Sequence, residues 1–455
     1  MIEEFLFGNN KILLNTNNGK LFYTNTFDEI NYPKDFFVDS FFDIMDNSYK
    51  YNTINISLNI TKQCNLACRY CFNQNKEYKS INLEDSIKFI NKIINDFPDA
   101  NKYLIDLSGS GEPLLEIEKI KKISQYCISK SNEIRKEILP MFVSNGVLLN
   151  NDMAIKLQEN GILFGFSIDG IKKYHDKYRV FKNGKPSFDI ILKNIKTIKN
   201  REYVGCAVTL NDKDVDLVKS IKFLNKYFNT ISIKISRSIN SNFNINDLKE
   251  QYTKLTDFII KEIYNKRINI LLSLLNGDDL FGKYISLVLQ NNVSNHRCDA
   301  GIGKFAIDSD LKVYTCSGAV YSNDLCLGNI DNIDYFKGRI IISNAINNEK
   351  CINCNIKKFC GHECLVRLVN GVNDDMCVLK KHLFKLALLL SLVIKNNYGL
   401  HQTIIKFLYE KGQRFEGDNE FYKFVNYYKD ISFSELKRIK DTDIIKYKEM
   451  IKNMN

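Results

Sequence analysis

Residues 53–72 read TINISLNITKQCNLACRYCF, an apolar stretch followed by three cysteines, Cys64, Cys68 and Cys71. The stretch Thr53–Asn59 has the pattern of a β-strand, so the cysteines lie on the loop that follows it. Three thiolates on one loop can bind three irons of a four-iron cluster and leave the fourth iron open to a ligand. The spacing alone also allows a zinc site completed by a distant residue, or three unconnected buried cysteines.

Strand and helix patterns alternate from Thr53 to about Leu275. The predicted strands are Thr53–Asn59, Tyr103–Leu107, Met141–Ser144, Phe164–Ile168, Gly205–Thr209 and Ile231–Ile235. The predicted helices between them are Asn82–Asp96, Leu115–Ser131, Asn151–Gln158, Phe188–Lys199 and Val215–Tyr227. This alternation predicts an α/β fold in which right-handed crossovers curl a parallel sheet into a partial (β/α)6 barrel of the TIM type. The chemistry of such folds sits at the C-terminal ends of the strands.

The segments outside this α/β region complete the predicted organisation. The turn Asn17-Asn18-Gly19 lies between two alternating stretches and predicts an N-terminal β-hairpin, with a helix around Asp39–Asp46 after it. Ile245–Leu275 has the pattern of one long helical stretch. Helices are also predicted at Leu383–Lys395, at His401–Lys411 and, in two shorter pieces, beyond them. We therefore divide the chain into residues 1–50, an N-terminal hairpin region; 51–275, the barrel; 276–385, a second cysteine-rich region; and 386–455, C-terminal helices.

The chain has 455 residues, a net charge of +11 and 13 cysteines. Its basic residues are dispersed, which is typical of a solvated surface rather than of a nucleic-acid-binding site. The most apolar run, Leu386–Ile394, is far shorter than the ~20 residues of a membrane-spanning helix, and the first residues lack the pattern of a signal peptide. We expect a cytoplasmic protein with no nucleic-acid partner and no membrane partner. Clustered cysteines in a reducing cytosol indicate metal binding or catalysis rather than disulfides.

A second group of seven cysteines lies between residues 298 and 377. Its members are Cys298, Cys316, Cys351, Cys354, Cys360, Cys364 and Cys377. Four-thiolate zinc sites and iron–sulfur clusters both use such donors, and the spacing alone leaves the two open.

The first cysteine loop resembles the signature of the radical S-adenosylmethionine (SAM) superfamily, because it reads Cys64-x3-Cys68-x2-Cys71 with the aromatic Tyr70 before the third cysteine. The resemblance implies that the three cysteines bind a 4Fe–4S cluster whose open iron chelates the amino and carboxylate groups of SAM. One electron from the cluster would cleave SAM to methionine and a 5′-deoxyadenosyl radical, which takes a hydrogen atom from the substrate. Tyr70 would lie near the adenine.

The loop after the second predicted strand resembles the glycine-glycine-glutamate-proline motif of the same superfamily. It reads Ser108-Gly-Ser-Gly-Glu-Pro113, with Ser110 in place of the usual first glycine. Gly111 would let the backbone approach the amino-acid end of SAM, and Glu112 would pair with the ammonium group of SAM. Ser144-Asn-Gly146, after the third strand, resembles a further motif of the superfamily.

The stretch Phe166-Ser-Ile-Asp-Gly170, with His175, Asp176 and Arg179 after it, resembles the peptide-modifying subfamily. The resemblance implies that Ser167 and Arg179 contact the ribose and the carboxylate of SAM. Asp169 and His175 would position the loop. We assign no side chain a catalytic role in proton transfer.

The seven-cysteine region is similar to the SPASM domain that follows the barrel in radical SAM enzymes acting on peptides. The similarity extends to Phe305-Ala-Ile-Asp308, Val313-Tyr-Thr-Cys316, Leu327-Gly-Asn-Ile330 and Phe359-Cys-Gly361. It implies two auxiliary 4Fe–4S clusters, and so three clusters in all. Auxiliary cluster I would use Cys298, Cys316 and Cys364, and auxiliary cluster II would use Cys351, Cys354, Cys360 and Cys377.

Auxiliary cluster I then has three ligands among the seven cysteines. Some relatives carry a fourth cysteine six residues after the first, where this chain has Lys304. Two interpretations remain: an open iron that binds a substrate thiolate, which we favour, or Cys326 as the fourth ligand. Leu311 also replaces a glycine of the family motif.

The resemblance implies an enzyme that modifies a peptide or protein substrate. Anaerobic sulfatase maturases share the layout, but they carry an aspartate where this chain has Ser317. We therefore expect a maturase of a ribosomally made peptide that forms a thioether or another cross-link, with a sulfatase-type formylglycine maturase as the alternative. A non-enzymatic iron–sulfur or zinc scaffold is the alternative from another class.

Two further partners follow from the resemblance. A reductase, flavodoxin or ferredoxin would donate electrons. The N-terminal hairpin region resembles leader-peptide recognition segments, so an edge strand could bind a leader by β-addition, although a small cap packed on the barrel explains the same pattern.

Overall fold

The computed structural model describes residues 1–26, 30, 32–33, 36–37, 52–73, 78–201, 204–211, 214–236, 244–277, 279–294, 298–369 and 374–413. The helix predicted around Asp39–Asp46 and the two short helices predicted near the C-terminus lie outside these residues. Within the described ranges, no helix combines the length and apolar character needed to cross a lipid bilayer.

The first three strands form an antiparallel sheet in the order β1-β2-β3. Their bounds are β1 Ile2–Phe7, β2 Asn10–Asn15 and β3 Leu21–Asn25. Gly19, in the turn between β2 and β3, has φ +77°, and a Cβ there would lie 2.4 Å from Cγ1 of Val293. The structure confirms the predicted hairpin and adds β1 to it. The ring of Phe5 packs edge-on against that of Phe384, at 5.9 Å between centroids, so this sheet lies on the C-terminal helices.

The second sheet runs in the order β13-β12-β11-β10-β4-β5-β6-β7-β8-β9. Its strands are β4 Thr53–Leu58, β5 Lys102–Asp106, β6 Glu137–Ser144, β7 Leu163–Ser167, β8 Gly205–Leu210, β9 Ile231–Ile235, β10 Lys304–Ile307, β11 Lys312–Tyr314, β12 Cys326–Asn329 and β13 Asn332–Ile333. The strands from β4 to β9 are parallel neighbours in chain order. This order confirms the predicted α/β fold with a partial barrel.

Helices connect these strands and follow them. In the described ranges they are α1 Leu83–Asp96, α2 Ile117–Ile134, α3 Asn151–Glu159, α4 Lys172–Tyr178, α5 Phe188–Thr197, α6 Leu217–Leu224, α7 Ile245–Tyr264, α8 Asn269–Asn276, α9 Leu280–Leu289, α10 Tyr335–Ile346, α11 Glu349–Ile352, α12 Lys357–Cys360, α13 Leu365–Val369, α14 Asp374–Lys395 and α15 Tyr398–Gln413. Helix α1 shows how the sequence sets their ends. The Asn82 side chain caps it by accepting the N–H of Asp85, and Phe89, Ile90 and Ile93 form its buried face.

The prediction of one helical stretch over Ile245–Leu275 was wrong in one respect, because the structure divides it into α7 and α8. Helix α7 ends at a cap formed by Asn265, and the next residue, Lys266, has φ +62°. A left-handed residue cannot continue a right-handed helix, so the chain turns here. The apolar pattern continues across the break because both helices bury their leucines and isoleucines in the same core.

The second cysteine-rich region begins on the same sheet as the barrel. Strand β10 pairs in parallel with β4, from Lys304 opposite Asn55 to Ile307 opposite Leu58. The chain then turns back through the antiparallel strands β11, β12 and β13. Periodicity did not reveal this pairing, which brings the C-terminal end of β10 beside the loop that carries Cys64.

A buried histidine joins α14 to α7. Nε2 of His382 lies 2.8 Å from the hydroxyl of Thr253, and that hydroxyl donates to the carbonyl of Lys249. The hydroxyl therefore accepts Nε2–H. Burial and, next, the charge of Lys249 lower the pKa of His382 to about 4.

This histidine makes the stability of the fold depend on pH. The folded protein binds no proton at His382 until the pH falls to about 4, whereas the unfolded chain binds one near pH 6.5. Its contribution to stability is therefore present above pH 6.5 and is lost as the pH falls toward 4. His382→Gln keeps an N–H donor and does not titrate. The slope of unfolding free energy against pH measures how many more protons the unfolded chain binds than the folded one. We expect this number to fall by up to about one in the variant. Urea unfolding between pH 4 and 7 measures it, and an unchanged slope would contradict the assignment.

Candidate active site

The loop that carries Cys64, Cys68 and Cys71 begins just beyond the C-terminal end of β4, and all three thiols are partly buried. Its middle is held by the segment after α4. The N–H of Ala67 donates to the carbonyl of Val180 at 2.7 Å, and the N–H of Arg69 donates to that of Tyr178 at 2.9 Å. The middle of the cysteine loop is thus fixed by backbone hydrogen bonds, before any ligand is considered.

The sulfur of Cys64 lies among N–H donors. The backbone N–H of Leu66 lies 3.4 Å from it, and the side-chain amide of Asn145 lies 3.6 Å from it. Asn145 belongs to the loop after β6, so the motif Ser144-Asn-Gly146 contacts the first cysteine. Among the residues that the structure describes, no three His, Cys, Asp or Glu side chains converge on the position of a single metal ion. A four-iron cluster binds each thiolate to a different iron and so holds them farther apart than one ion does.

Gly111 lies against the backbone of the cysteine loop. A Cβ at this position would lie 2.1 Å from the carbonyl oxygen of Gln63 and 2.5 Å from that of Thr61, so any larger residue must displace the loop. The next residue, Glu112, donates its N–H to the Gln63 carbonyl at 2.7 Å. Ser110, which departs from the family motif, donates its N–H and its hydroxyl to the side-chain carbonyl of Asn59, at 2.6 and 2.8 Å. The departure therefore adds a buried hydrogen bond.

Glu112 is buried, and it joins the loops after β5 and β6. Its Oε1 accepts from the hydroxyl of Ser144 at 2.7 Å, and its Oε2 accepts from the N–H of Asn145 at 2.7 Å. Burial raises the pKa of this carboxyl to about 7, and these hydrogen bonds oppose the shift. The contact of Glu112 with the ammonium group of SAM stays a prediction. The contacts present in the structure give Glu112 a positioning role.

The carboxylate of Asp169 accepts three hydrogen bonds at the ends of β7 and β8. Its Oδ2 accepts from the hydroxyl of Tyr70 at 2.6 Å and from Nε of Arg179 at 2.8 Å, and its Oδ1 accepts from the N–H of Thr209 at 2.8 Å. The guanidinium group of Arg179 also lies 5.4 Å from the centre of the Tyr70 ring. Two of the predicted SAM-contacting residues, Tyr70 and Arg179, are thus brought together through one buried carboxylate.

His175 supports this arrangement. Its Nδ1 accepts the N–H of Asp169 at 3.3 Å, and its Nε2 lies 3.0 Å from the hydroxyl of Ser187, which donates to the carbonyl of Arg179. The ring is therefore neutral with the proton on Nε2, and burial lowers its pKa to about 4. These contacts agree with the loop-positioning role that the sequence suggested for His175. Ser167 is the last residue of β7, opposite Ala207 of β8, and its contact with SAM stays a prediction.

A second buried carboxylate joins the cysteine loop to the second cysteine-rich region. Asp308, directly after β10, forms an ion pair with Lys62 at 2.6 Å and accepts from the side-chain amide of Asn59 at 2.5 Å. The ring of Tyr321 lies 5.4 Å from Nζ of Lys62, and its hydroxyl lies 3.4 Å from that of Ser110. Sequence analysis missed Lys62 and Tyr321. Only the aspartate at the end of the Phe305-Ala-Ile-Asp308 motif pointed here.

Three cysteines of the second region share a small core. Cys298, Cys316 and Cys326 pack against the buried cluster that contains Tyr314 and Leu365, and Cys364 directly precedes Leu365. Tyr314 on β11 pairs with Cys326 on β12, so these two side chains point to the same face of the sheet. The structure thus leaves both interpretations of a fourth ligand open.

The other four cysteines also lie together. Burial raises the pKa values of the Cys351 and Cys377 thiols, and both are affected by the thiols of Cys354 and Cys360 nearby. The N–H of Cys354 donates to the carbonyl of Cys351 at 3.1 Å. The four residues that the resemblance assigned to auxiliary cluster II are therefore brought together by α11, α12 and α14.

Comparisons with known proteins agree with this geometry. The sequence model of the Radical SAM superfamily matches residues 58–224. A cysteine-type anaerobic sulfatase-maturating enzyme of Clostridium novyi is 27% identical over 344 residues, which cover 70% of this chain and 90% of that enzyme. The radical SAM cyclopropyl synthase TigE of Paramaledivibacter caminithermalis is 24% identical over 347 residues, 68% of this chain and 67% of that one.

A solved structure has a similar fold. It is that of anSMEcpe with bound AdoMet, with a TM-score of 0.60 and 20% sequence identity, and the match covers 76% of this chain and 99% of that chain. The superfamily match spans the loops that carry Cys64, Gly111 and Asp169, and the relatives extend the similarity into the second cysteine-rich region. The chain therefore carries a radical SAM domain over residues 58–224 and is an enzyme similar to the peptide and protein maturases of that superfamily.

Proposed function

We propose that this chain is a maturase that cleaves SAM reductively to a 5′-deoxyadenosyl radical, which abstracts hydrogen from a ribosomally made peptide to form a thioether or another cross-link. The observation that carries the proposal is the convergence of three loops at one edge of the barrel. The cysteine loop contacts the Gly111 loop through Gln63 and the Asp169 loop through Tyr70. A non-enzymatic scaffold has no need of this arrangement, and the match of residues 58–224 to the superfamily model argues against that alternative.

In the proposal, Cys64, Cys68 and Cys71 hold the 4Fe–4S cluster that binds SAM. The donor chemistry fits, since three partly buried thiols lie on one anchored loop and N–H donors face the sulfur of Cys64. Hydrogen bonds to the sulfurs and burial are the means by which a protein tunes such a cluster. When bound, the cluster supplies the electron that cleaves SAM.

The proposed SAM site comprises Tyr70, Gly111, Glu112, Ser167 and Arg179. Gly111 leaves no side chain between the Ser110–Glu112 backbone and the cysteine loop. Asp169 fixes the Arg179 guanidinium, so this cation keeps its orientation when it binds a carboxylate. A solved structure of the same fold contains AdoMet, which supports a SAM site at this edge of the barrel.

Replacing the three cysteines tests the cluster assignment. In the variant Cys64→Ala/Cys68→Ala/Cys71→Ala we expect no 5′-deoxyadenosine from SAM and dithionite, and about four fewer irons per chain than in the wild type. Chromatography of the nucleoside and an iron assay measure the two quantities after anaerobic reconstitution. Cys127→Ala is the matched control, because Cys127 is a buried core residue of α2 away from these loops. Retained SAM cleavage in the triple variant would contradict the assignment of these cysteines to the SAM-binding cluster.

Replacing Gly111 tests whether close backbone contact positions SAM. In Gly111→Ala the new methyl group would push the Gln63 carbonyl aside. We expect the rate of SAM cleavage to fall about a hundredfold, because a displacement of about 1 Å at a reacting centre can reduce a rate by that factor. Gly184→Ala is the control: its φ of +78° strains its own exposed turn, but a Cβ there meets nothing within 4 Å and so displaces no neighbour. Equal rates for the two variants would show that the close contact is irrelevant to the reaction.

We assign auxiliary cluster I to Cys298, Cys316 and Cys364, and auxiliary cluster II to Cys351, Cys354, Cys360 and Cys377. The packing of Cys298 and Cys316 on one small core supports the first set. The mutual proximity of the other four cysteines supports the second. We retain an open iron on auxiliary cluster I as the site for a substrate thiolate, with Cys326 as the alternative ligand. The three-ligand set is what favours a cysteine-containing substrate.

The substrate class is the part of the proposal on which the relatives differ. The Clostridium relative is a sulfatase-maturating enzyme and TigE is a cyclopropyl synthase. A sulfatase-type formylglycine maturase therefore remains the second candidate, favoured by the 27% identity over 70% of this chain. Ser317 after Cys316 favours the first candidate, because the sulfatase maturases carry an aspartate at that position, according to the resemblance. A similar fold has been solved with a bound peptide, Cp18Cys.

Two partners complete the proposal. A reductase, flavodoxin or ferredoxin would supply the electron. The N-terminal sheet leaves β1 and β3 at its two edges, and either edge could receive the leader segment of a peptide substrate by β-addition.

Peptide assays separate the two candidate functions. Short cysteine-containing open reading frames encoded beside the gene supply candidate substrates, and a peptide with a sulfatase active-site cysteine serves as the comparison. In a thioether product one hydrogen atom of carbon is transferred to 5′-deoxyadenosine, the thiol loses a proton, and the surplus electron would pass to an iron–sulfur cluster. Mass spectrometry detects the loss of the two hydrogens. Replacing the cysteine of the peptide by alanine must abolish the product. Formylglycine formation on the sulfatase peptide alone would establish the second candidate instead.

A further inference from the structure

A buried ion pair lies beside the second group of cysteines. Nζ of Lys380 lies 2.6 Å from Oε2 of Glu363, and the two side chains are 2% and 3% exposed. The other carboxylate oxygen, Oε1, accepts the backbone N–H of Cys364 at 2.6 Å. Lys380 lies on α14 three residues after Cys377, so their side chains lie on neighbouring positions of one helix face. The pair joins the segment of Cys364 to the helix of Cys377.

Stability does not account for this pair. Transfer of two charges from water to the interior costs several kcal/mol per ion, and their mutual attraction often returns no more than that. Apolar residues of similar volume would serve the packing as well or better. The position of the two charges relative to the cysteines is therefore the informative feature.

The field of the pair favours negative charge at two of these cysteines. The positive charge of Lys380 acts on the sulfurs of Cys377 and Cys351, and at Cys377 it outweighs the opposing charge of Glu363. Glu363 holds Lys380 in this place. Its Oε2 accepts a hydrogen bond from Nζ of Lys380, and its Oε1 accepts one from the backbone N–H of Cys364. A buried cation on α14 thus lies near the thiols of Cys377 and Cys351.

We propose that Lys380, held by Glu363, raises the reduction potential of the iron–sulfur cluster bound by Cys351, Cys354, Cys360 and Cys377. This inference rests on the assignment of auxiliary cluster II made above. Reduction adds one electron and makes the cluster more negative by one charge, and a nearby cation in a low-dielectric interior stabilises that form. The pair is a positioning and tuning element and takes no part in bond formation.

Redox titration of the full-length, anaerobically reconstituted chain tests the proposal, with electron paramagnetic resonance to follow each cluster. The signal of auxiliary cluster II is identified by its loss in Cys354→Ala. The double variant Lys380→Met/Glu363→Gln removes both charges without leaving one buried alone. We expect the potential of auxiliary cluster II to fall and that of the SAM-binding cluster to stay unchanged. Auxiliary cluster I is not the reference, because Glu363 accepts the backbone N–H of its proposed ligand Cys364. Lys381→Met is the control, because Lys381 is the exposed neighbour on the same helix.

A second variant tests the opposite sign. Glu363→Gln keeps the Lys380 charge and removes the charge that opposes it, so the potential must rise. An unchanged potential in both variants overturns the proposal, even if their thermal stability falls, because a purely structural pair would change stability alone. If the double variant does not assemble the cluster, the result with Glu363→Gln decides. Absence of any iron–sulfur signal in the wild type would instead overturn the cluster assignment, and so the two failures are distinguishable.

Discussion

The buried carboxylate of Asp169 is the constraint on which the site depends. Its oxygens accept from Tyr70 on the cysteine loop, from Arg179 after α4 and from the backbone of β8 at Thr209. A carboxylate left in this interior without such donors would cost several kcal/mol. The position of the cysteine loop therefore depends on the ends of β7 and β8. His175 positions the backbone of Asp169 by accepting its N–H.

A second carboxylate fixes the other side of the same loop. Lys62 pairs with Asp308, which follows the strand that extends the barrel sheet beyond β4. The loop with Cys64, Cys68 and Cys71 is thus held between two buried aspartates, one in the barrel and one at the start of the second cysteine-rich region. This arrangement links the loop of the proposed SAM-binding cluster to the start of the region that holds the proposed auxiliary clusters.

Local patterns in the sequence were sufficient for the barrel strands, for the loops at their C-terminal ends and for the residue types that the loops carry. They could not reveal the contact between Asn59 and Asp308. These residues are 249 positions apart, and no periodic pattern indicates which distant residue either of them contacts. The division of the predicted long helix was missed for a related reason. Its apolar period continues through Lys266, and only the left-handed backbone there ends the helix. The motif resemblance predicts that Glu112 contacts SAM, and it did not reveal that the carboxylate oxygens of Glu112 accept from Ser144 and Asn145.

We propose that this fold holds a SAM-cleaving cluster together with two auxiliary clusters. Anaerobic reconstitution of the wild-type chain, followed by iron counting and incubation with SAM and dithionite, tests this proposal. We expect about twelve irons per chain, the sum of three four-iron clusters, and the formation of 5′-deoxyadenosine. Bound zinc with intact SAM would contradict it.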